Sequence, residues 1–266
     1  MEYIEQRIHA LKLFVYFIIG LVIGGYTAFA FANPIDQSCP QHVVWGAPQI
    51  YQEGNNQYLC RTGYAVNYNY ATKVPYFVVE TIRADQLTKA AERGNDFRED
   101  PQIPAQYRAT LNDYRGAGYD RGHMAPAADF SYSAQAMSES FFMSNMMPQN
   151  PGNNRGIWKY TEELTRYYAQ KYGQVYVVTG TFFDATSPVI GNGVRVPTYV
   201  WKVVIDPRNN RSIAFLYPNQ KLDPKDIDKY VVSVANLEQY TGITFMPQLP
   251  SQYVGMKQIK ANLKDW

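Results

Sequence analysis

Residues 120–126 read Asp120-Arg121-Gly122-His123-Met124-Ala125-Pro126. This stretch puts an imidazole, a fixed cation and a carboxylate around one glycine, where a strand end or loop bending at Gly122 presents its neighbours to a single cleft. With a pKa near 6.5, a neutral His123 can take a proton from water, while the planar guanidinium of Arg121 matches phosphate oxygens two at a time. Four residues alone fit a core histidine beside a structural Asp–Arg ion pair better. The surroundings decide between these readings.

Two stretches lie downstream. The first, Ser144-Asn145-Met146-Met147-Pro148-Gln149, closes a Met-rich apolar segment (138–147) that reads as a helix or turn packed beneath the His123 loop. The second starts at Asn153-Asn154, reads as helical over 155–172 and stops at Gly173. On a straight helix Asn154, Trp158 and Glu162, four residues apart, fall along one face, setting an amide oxygen two turns from a carboxylate. Mg²⁺ suits such a face, since it takes oxygen ligands, keeps most of its waters and needs few protein groups. An N-cap role for Asn154 and a solvated helix charge for Glu162 are the plainer alternatives.

These three blocks, in this order, resemble the signature of the DNA/RNA non-specific endonucleases, the ββα-metal (His-Me finger) enzymes. The resemblance runs from about Tyr76 to the 241–247 segment. It implies an α+β fold with a mixed, largely antiparallel central sheet flanked by helices. It also implies His123 as general base, Asn154 as the direct protein ligand of a hydrated Mg²⁺ (Mn²⁺ as substitute), and Glu162 as the residue orienting the metal's waters. Arg121 would contact the scissile phosphate, Asn145 would support catalysis and Gln149 would touch substrate, with Asp120 holding the turn. Secreted members carry an arginine on the preceding strand where Glu80 aligns here. Mitochondrial members are closer, and Arg83 is the candidate replacement cation.

The remaining chain agrees with one mixed domain over 33–266. Strand candidates are short ones within 51–70, then 74–82, 174–183, 198–205 and 212–217. Residues 86–106 read as a polar surface loop and 223–237 as helical. With 25 Lys+Arg against 23 Asp+Glu the formal net charge is only +2, so any polyanion site is a local patch. Three histidines, His9, His42 and His123, argue against a multi-His zinc enzyme. No G-x-S-x-G, H-E-x-x-H or G-x-x-x-x-G-K-[ST] motif is present.

Residues 13–32 are uncharged, follow Arg7 and Lys12 and end in Ala30-Phe31-Ala32, which fits a signal peptide cleaved after Ala32 or a retained membrane anchor. Both imply export: periplasmic or secreted, or anchored to the inner membrane. In an oxidising compartment Cys39 and Cys60 are expected to form a disulfide, with His42 a surface or packing residue inside the loop. DNA and RNA are the expected substrates, cut to 5′-phosphate ends with little sequence preference, and the sequence is compatible with a homodimer. Two alternatives share the motif residues: a metal-dependent phosphodiesterase or phosphatase acting on small substrates, and an inactive exported nucleic-acid-binding module.

Overall fold

The computed structural model describes residues 34–50, 54–88 and 90–266; residues 13–32, read as a signal peptide or a membrane anchor, lie outside the described residues. No helix among the described residues is long and apolar enough to cross a membrane.

Seven strands form the central sheet: β1 (Asn56–Cys60), β2 (Tyr64–Asn69), β3 (Val74–Arg83), β6 (Gln174–Phe182), β7 (Tyr199–Asp206), β8 (Arg211–Pro218) and β9 (Val231–Val232). The two missing numbers belong to a hairpin, β4 (Asp120–His123) with β5 (Met146–Gln149). The sheet order is β9-β8-β7-β6-β3-β2-β1, and every neighbouring pair is antiparallel. The central strands are β-branched and aromatic and lack the polar alternation of a half-exposed sheet, because both faces are covered. Successive residues feed opposite cores. Val78 and Ile82 of β3 and Val200 and Val204 of β7 enter one, while Phe77, Val79, Trp201, Val203 and Ile205 enter the other.

The first core carries the hairpin and the long helix, contributing Met124, Met146, Ile157 and Trp158. The second is roofed by the N-terminal arm, with α1 (Pro34–Ser38), and by the C-terminal segments, through Ile35, Val43, Leu237 and Phe245. The Cys39–Cys60 disulfide fastens this arm to edge strand β1. His42 takes the packing option: it is buried, with Nε2 3.1 Å from the Arg61 carbonyl.

Three local expectations need correction. The Met-rich segment is not one helix but α2 (Ala134–Glu139), a tight turn at Met143–Asn145 and then β5. Its strand was hidden because Pro148 and Asn150 read as turn formers, while the pairing that stabilises it comes from residues 120–123. Residues 223–237 likewise divide into a 3₁₀ turn (Pro224–Tyr230), edge strand β9 and the start of α4 (Val234–Thr241), which Ser233 caps. Gly122 does not bend the chain. It sits within β4, and a Cβ there would lie 2.1 Å from Gln149 Oε1, so glycine is needed for close approach.

Replacing Cys39 and Cys60 by Ser frees the arm. Closing a loop of 21 residues restricts the unfolded chain, so the variant should lose about 3 kcal/mol in chemical denaturation while keeping its far-UV circular dichroism. An unchanged denaturation midpoint would show that the bridge does not hold the arm.

Candidate active site

The long helix begins irregularly. Asn150 caps it, its Oδ1 accepting from the backbone N–H groups of Gly152 (2.9 Å) and Asn153 (3.3 Å). A wide turn, Asn153–Trp158, precedes the regular helix α3 (Lys159–Tyr172) and is kinked at Gly156, whose φ of −106° and ψ of −110° lie outside the helical region. The two adjacent asparagines have different environments. Asn153 is consumed by the fold: Gln149 Nε2 donates to its Oδ1 (2.8 Å), and its Nδ2 donates to the carbonyls of Pro218 and Gln220. Asn154 faces the cavity, its Nδ2 donating to Asp120 Oδ2 at 2.9 Å, so Oδ1 is the atom left for a ligand. The kink also ends the single helix face expected from spacing. Trp158 turns into the core beneath β4, where its Nε1 donates to the His123 carbonyl (3.3 Å), while Asn154 and Glu162 line the cavity.

That cavity, about 980 Å³, is walled by His123, Arg121, Asp120, Asn154 and Glu162 together. Thus the structure unites residues up to 42 positions apart (120–162) that were singled out from sequence. Asn145 and Gln149 do not line it: Gln149, expected at the substrate, and Asn145, expected to support catalysis, are both buried. Asn145 is fully buried: Oδ1 accepts from Ala125 N–H (3.0 Å) and Nδ2 donates to the carbonyls of Ala125 and Ser140 (both 2.9 Å), fixing the loop after His123. Gln149 is buried against Gly122. Arg83 is exposed and paired with Asp85 (2.9 Å) rather than lining the cavity, and Glu80 is buried below it.

Sequence reading missed two arginines on the wall. Arg93 comes from the loop read as merely surface, and Arg166 sits on α3 one turn beyond Glu162, a spacing that could have revealed it. Arg166 is held by the buried carboxylate of Asp129 at 2.7 Å. Six cations (Arg93, Arg115, Arg121, Arg155, Lys159, Arg166) face three carboxylates (Asp120, Glu162, Glu163) around the opening. Arg155 is spent on Asp120 and Lys159 on Glu163, whereas Arg93, Arg115 and Arg121 have no ion pair among the described residues.

Burial sets the protonation states. It lowers the His123 pKa to about 3, with Arg93 and Arg121 adding to the effect, so the imidazole is neutral at physiological pH. Its Nε2 is buried without a hydrogen-bond partner. For Glu162 burial works the other way and raises the pKa to about 7, opposed by Lys202 and reinforced by Asp129. Partial burial pushes Asp120 upward, but hydrogen bonds from Arg155 and Asn154 outweigh it and keep this carboxyl below its usual range. Beneath the floor lie Glu80 and Lys202, both buried; Lys202 Nζ donates to Thr179 Oγ1 (2.6 Å) and sits 5.1 Å from the centre of the Trp158 ring.

Because the Glu162 pKa is raised from 4.5 to about 7, the folded state binds more protons than the unfolded chain between those values. Its contribution is therefore fully present below pH 4.5 and lost as pH rises through about 7. His123 has the opposite sign, costing stability as pH falls from 6.5 towards about 3. In chelator, Glu162→Gln should gain thermal stability relative to wild type as pH is raised from about 5 to about 8. A Tm difference that stays flat across this range would mean that Glu162 is not held in its neutral form.

Comparison with known proteins agrees with this geometry. Residues 46–252 match the family described as DNA/RNA non-specific endonuclease. Nuclease C1 of Cunninghamella echinulata var. echinulata is 36% identical over 216 residues, covering 74% of this chain and 86% of that protein. Mitochondrial endonuclease G of Homo sapiens is 35% identical over 227 residues, covering 79% and 76% respectively. A solved structure of the EndoG/EndoGI complex superposes with a TM-score of 0.73 at 29% identity, over 84% of this chain and 96% of that one. With the antiparallel sheet, the strand hairpin and the kinked helix in place, the chain belongs to the DNA/RNA non-specific endonuclease family and is a nuclease, a hydrolase acting on nucleic acids.

Proposed function

We propose that this protein is an exported, Mg²⁺-dependent, sugar-non-specific endonuclease that cuts DNA and RNA to 5′-phosphate ends. The observation that carries the proposal is the meeting of a neutral imidazole, an amide oxygen and unpaired arginines around one open cavity. In-line attack on a phosphodiester needs a base for water and positive charge near the phosphoryl and leaving 3′ oxygens. Neutral His123 takes the proton of the attacking water. Arg121, with no carboxylate partner among the described residues, turns its N–H groups to the phosphate, and Arg93 adds charge along the wall.

The donor set suits a hard divalent cation. Asp120 occupies the amide N–H of Asn154 and so leaves its carbonyl oxygen for the ion, and Glu162 can grip its water shell. Mg²⁺, or Mn²⁺ in its place, supplies positive charge at the leaving oxygen when bound. No group of three or more His, Cys, Asp or Glu side chains that could hold a metal ion occurs among the described residues, so this site depends on the single amide and the ion's own waters.

The charge pattern favours a polymer over a small phosphate ester, because the cavity wall carries, besides Arg121, the further arginines Arg93 and Arg115 with no ion pair among the described residues. Backbone contacts of this kind carry no sequence information. The Cys39–Cys60 disulfide supports export, since such bridges persist in oxidising compartments. Several relatives are instead named as mitochondrial. The leader is the natural source of a different address.

Purified protein on supercoiled plasmid and on RNA tests the proposal. Wild type should nick both with Mg²⁺ and neither in excess chelator. His123→Ala should lose about 100- to 10,000-fold in rate, and Asn154→Ala at least about 100-fold. Raising salt from about 50 to about 200 mM should lower kcat/KM by about tenfold or more. Nicking that survives chelation or His123→Ala would overturn this mechanism, and cleavage of only small phosphodiesters would replace the polymer substrate.

A further inference from the structure

The residues assigned above leave one unusual feature of the cavity unexplained: the side chain of Arg121, the cation nearest His123 in sequence, has neither hydrogen bond nor ion pair among the described residues. What it touches is a ring. Its guanidinium carbon lies 4.2 Å from the centroid of Phe97, a residue of the loop over 86–106 that also lines the cavity. The same ring lies 5.5 Å from the His123 imidazole at 56° and 5.0 Å from Phe141 at 87°. Phe141, wholly buried, packs edge-on against His123 at 5.0 Å and 90°, and Arg93 lies 5.8 Å over it.

Arg121 and His123 stand two residues apart on β4, so their side chains leave the strand on the same side. Phe97 therefore meets both at once. An aromatic face attracts a guanidinium through its quadrupole without neutralising it and without occupying its N–H groups. A carboxylate in the same position would fix Arg121 equally well but would neutralise its charge and occupy donors that a phosphate needs. The ring thus solves a problem peculiar to a substrate-binding cation: the side chain must be held in place while its charge and donors stay available.

We propose that Phe97 is a positioning residue for phosphodiester cleavage, its ring face holding Arg121 against the scissile phosphate position while its flank fixes the plane of His123. This rests on the nuclease reading given above. Because other arginines and lysines bind the rest of the polymer, loss of the ring should act on kcat and leave KM nearly unchanged.

Incorporating 4-fluoro-, 3,4,5-trifluoro- and pentafluorophenylalanine at position 97 weakens the quadrupole stepwise at nearly constant shape. On a short oligonucleotide kcat should fall with each step, by about three- to tenfold overall, with KM within about twofold and Tm unchanged. Phe97→Leu, which also removes the flank against His123, should fall at least as far as the pentafluoro variant, and Phe97→Tyr should retain activity. In an Arg121→Ala background, assayed at high enzyme concentration, fluorination should make no further difference. A readout independent of turnover is the Arg121 Nε–H proton resonance, which should be moved upfield by the ring in wild type and return in Phe97→Leu. Activity indifferent to fluorination in an enzyme that requires His123 and Asn154 would overturn the role of Phe97 alone. An equal fluorination effect without Arg121, or an Arg121 resonance unmoved by Phe97→Leu, would overturn it as well. Absence of cleavage by the wild type would instead overturn the nuclease reading and leave the resonance to decide the contact.

Discussion

The carboxylate of Asp120 holds the hairpin and the helix to one another. From the first residue of β4 it accepts from Asn154 Nδ2 on the kinked turn and from Arg155 beside it, at 2.6 to 2.9 Å. Two consequences follow. The hairpin bearing Arg121 and His123 is locked to the helix bearing Asn154 and Glu162, and the Asn154 amide is oriented with its oxygen free. Charge-assisted hydrogen bonds are the stronger kind, and this one lies at the margin of the cavity where Asp120 is partly shielded from water. Arg155 itself is largely exposed, so its share is screened and adds little to stability.

Around that clasp the protein spends its polar residues in two ways. Asn145, Gln149 and Asn153 are buried and committed to backbone or to one another, and they make the frame rigid. His123, Arg121 and the Asn154 oxygen are left without such commitments. Aromatic packing holds the first two in place, so that rigidity costs neither a proton-accepting nitrogen nor a donor. Below them the buried carboxylates Glu80 and Asp129 are both pushed up in pKa by burial, and Lys202 is pushed down. Burial, opposed by Lys202 and reinforced by Asp129, likewise raises the Glu162 pKa to about 7.

The broad architecture was legible in the sequence because its central strands are continuous apolar runs, buried on both faces, which leave a strong local signal. The 120–126 block and the Asn154-to-Glu162 spacing located the cavity for the same reason, being short and chemically distinctive. What escaped depended on partners distant in sequence. Strand β5 exists through pairing with β4, and its own residues read as a turn. Arg93 and Phe97 come from a loop with no periodicity, so nothing local shows that it folds over the histidine. Asn145 and Gln149 were read as site residues because they sit in the motif, yet their amides are buried in the frame. Asn154 and Glu162 do line one cavity, but not along the straight helix face that their spacing implies, since the chain is kinked at Gly156.

In the proposed mechanism one amide oxygen, that of Asn154, whose Nδ2 is held by Asp120, is the protein's direct grip on a divalent ion beside His123. Anomalous diffraction from crystals soaked in Mn²⁺ tests it most directly. The account predicts a single strong peak within bonding distance of Asn154 Oδ1, with Glu162 reached through water and His123 across the cavity. A peak bound directly by several carboxylates elsewhere, or an Asn154 oxygen turned away from an occupied ion, would contradict it.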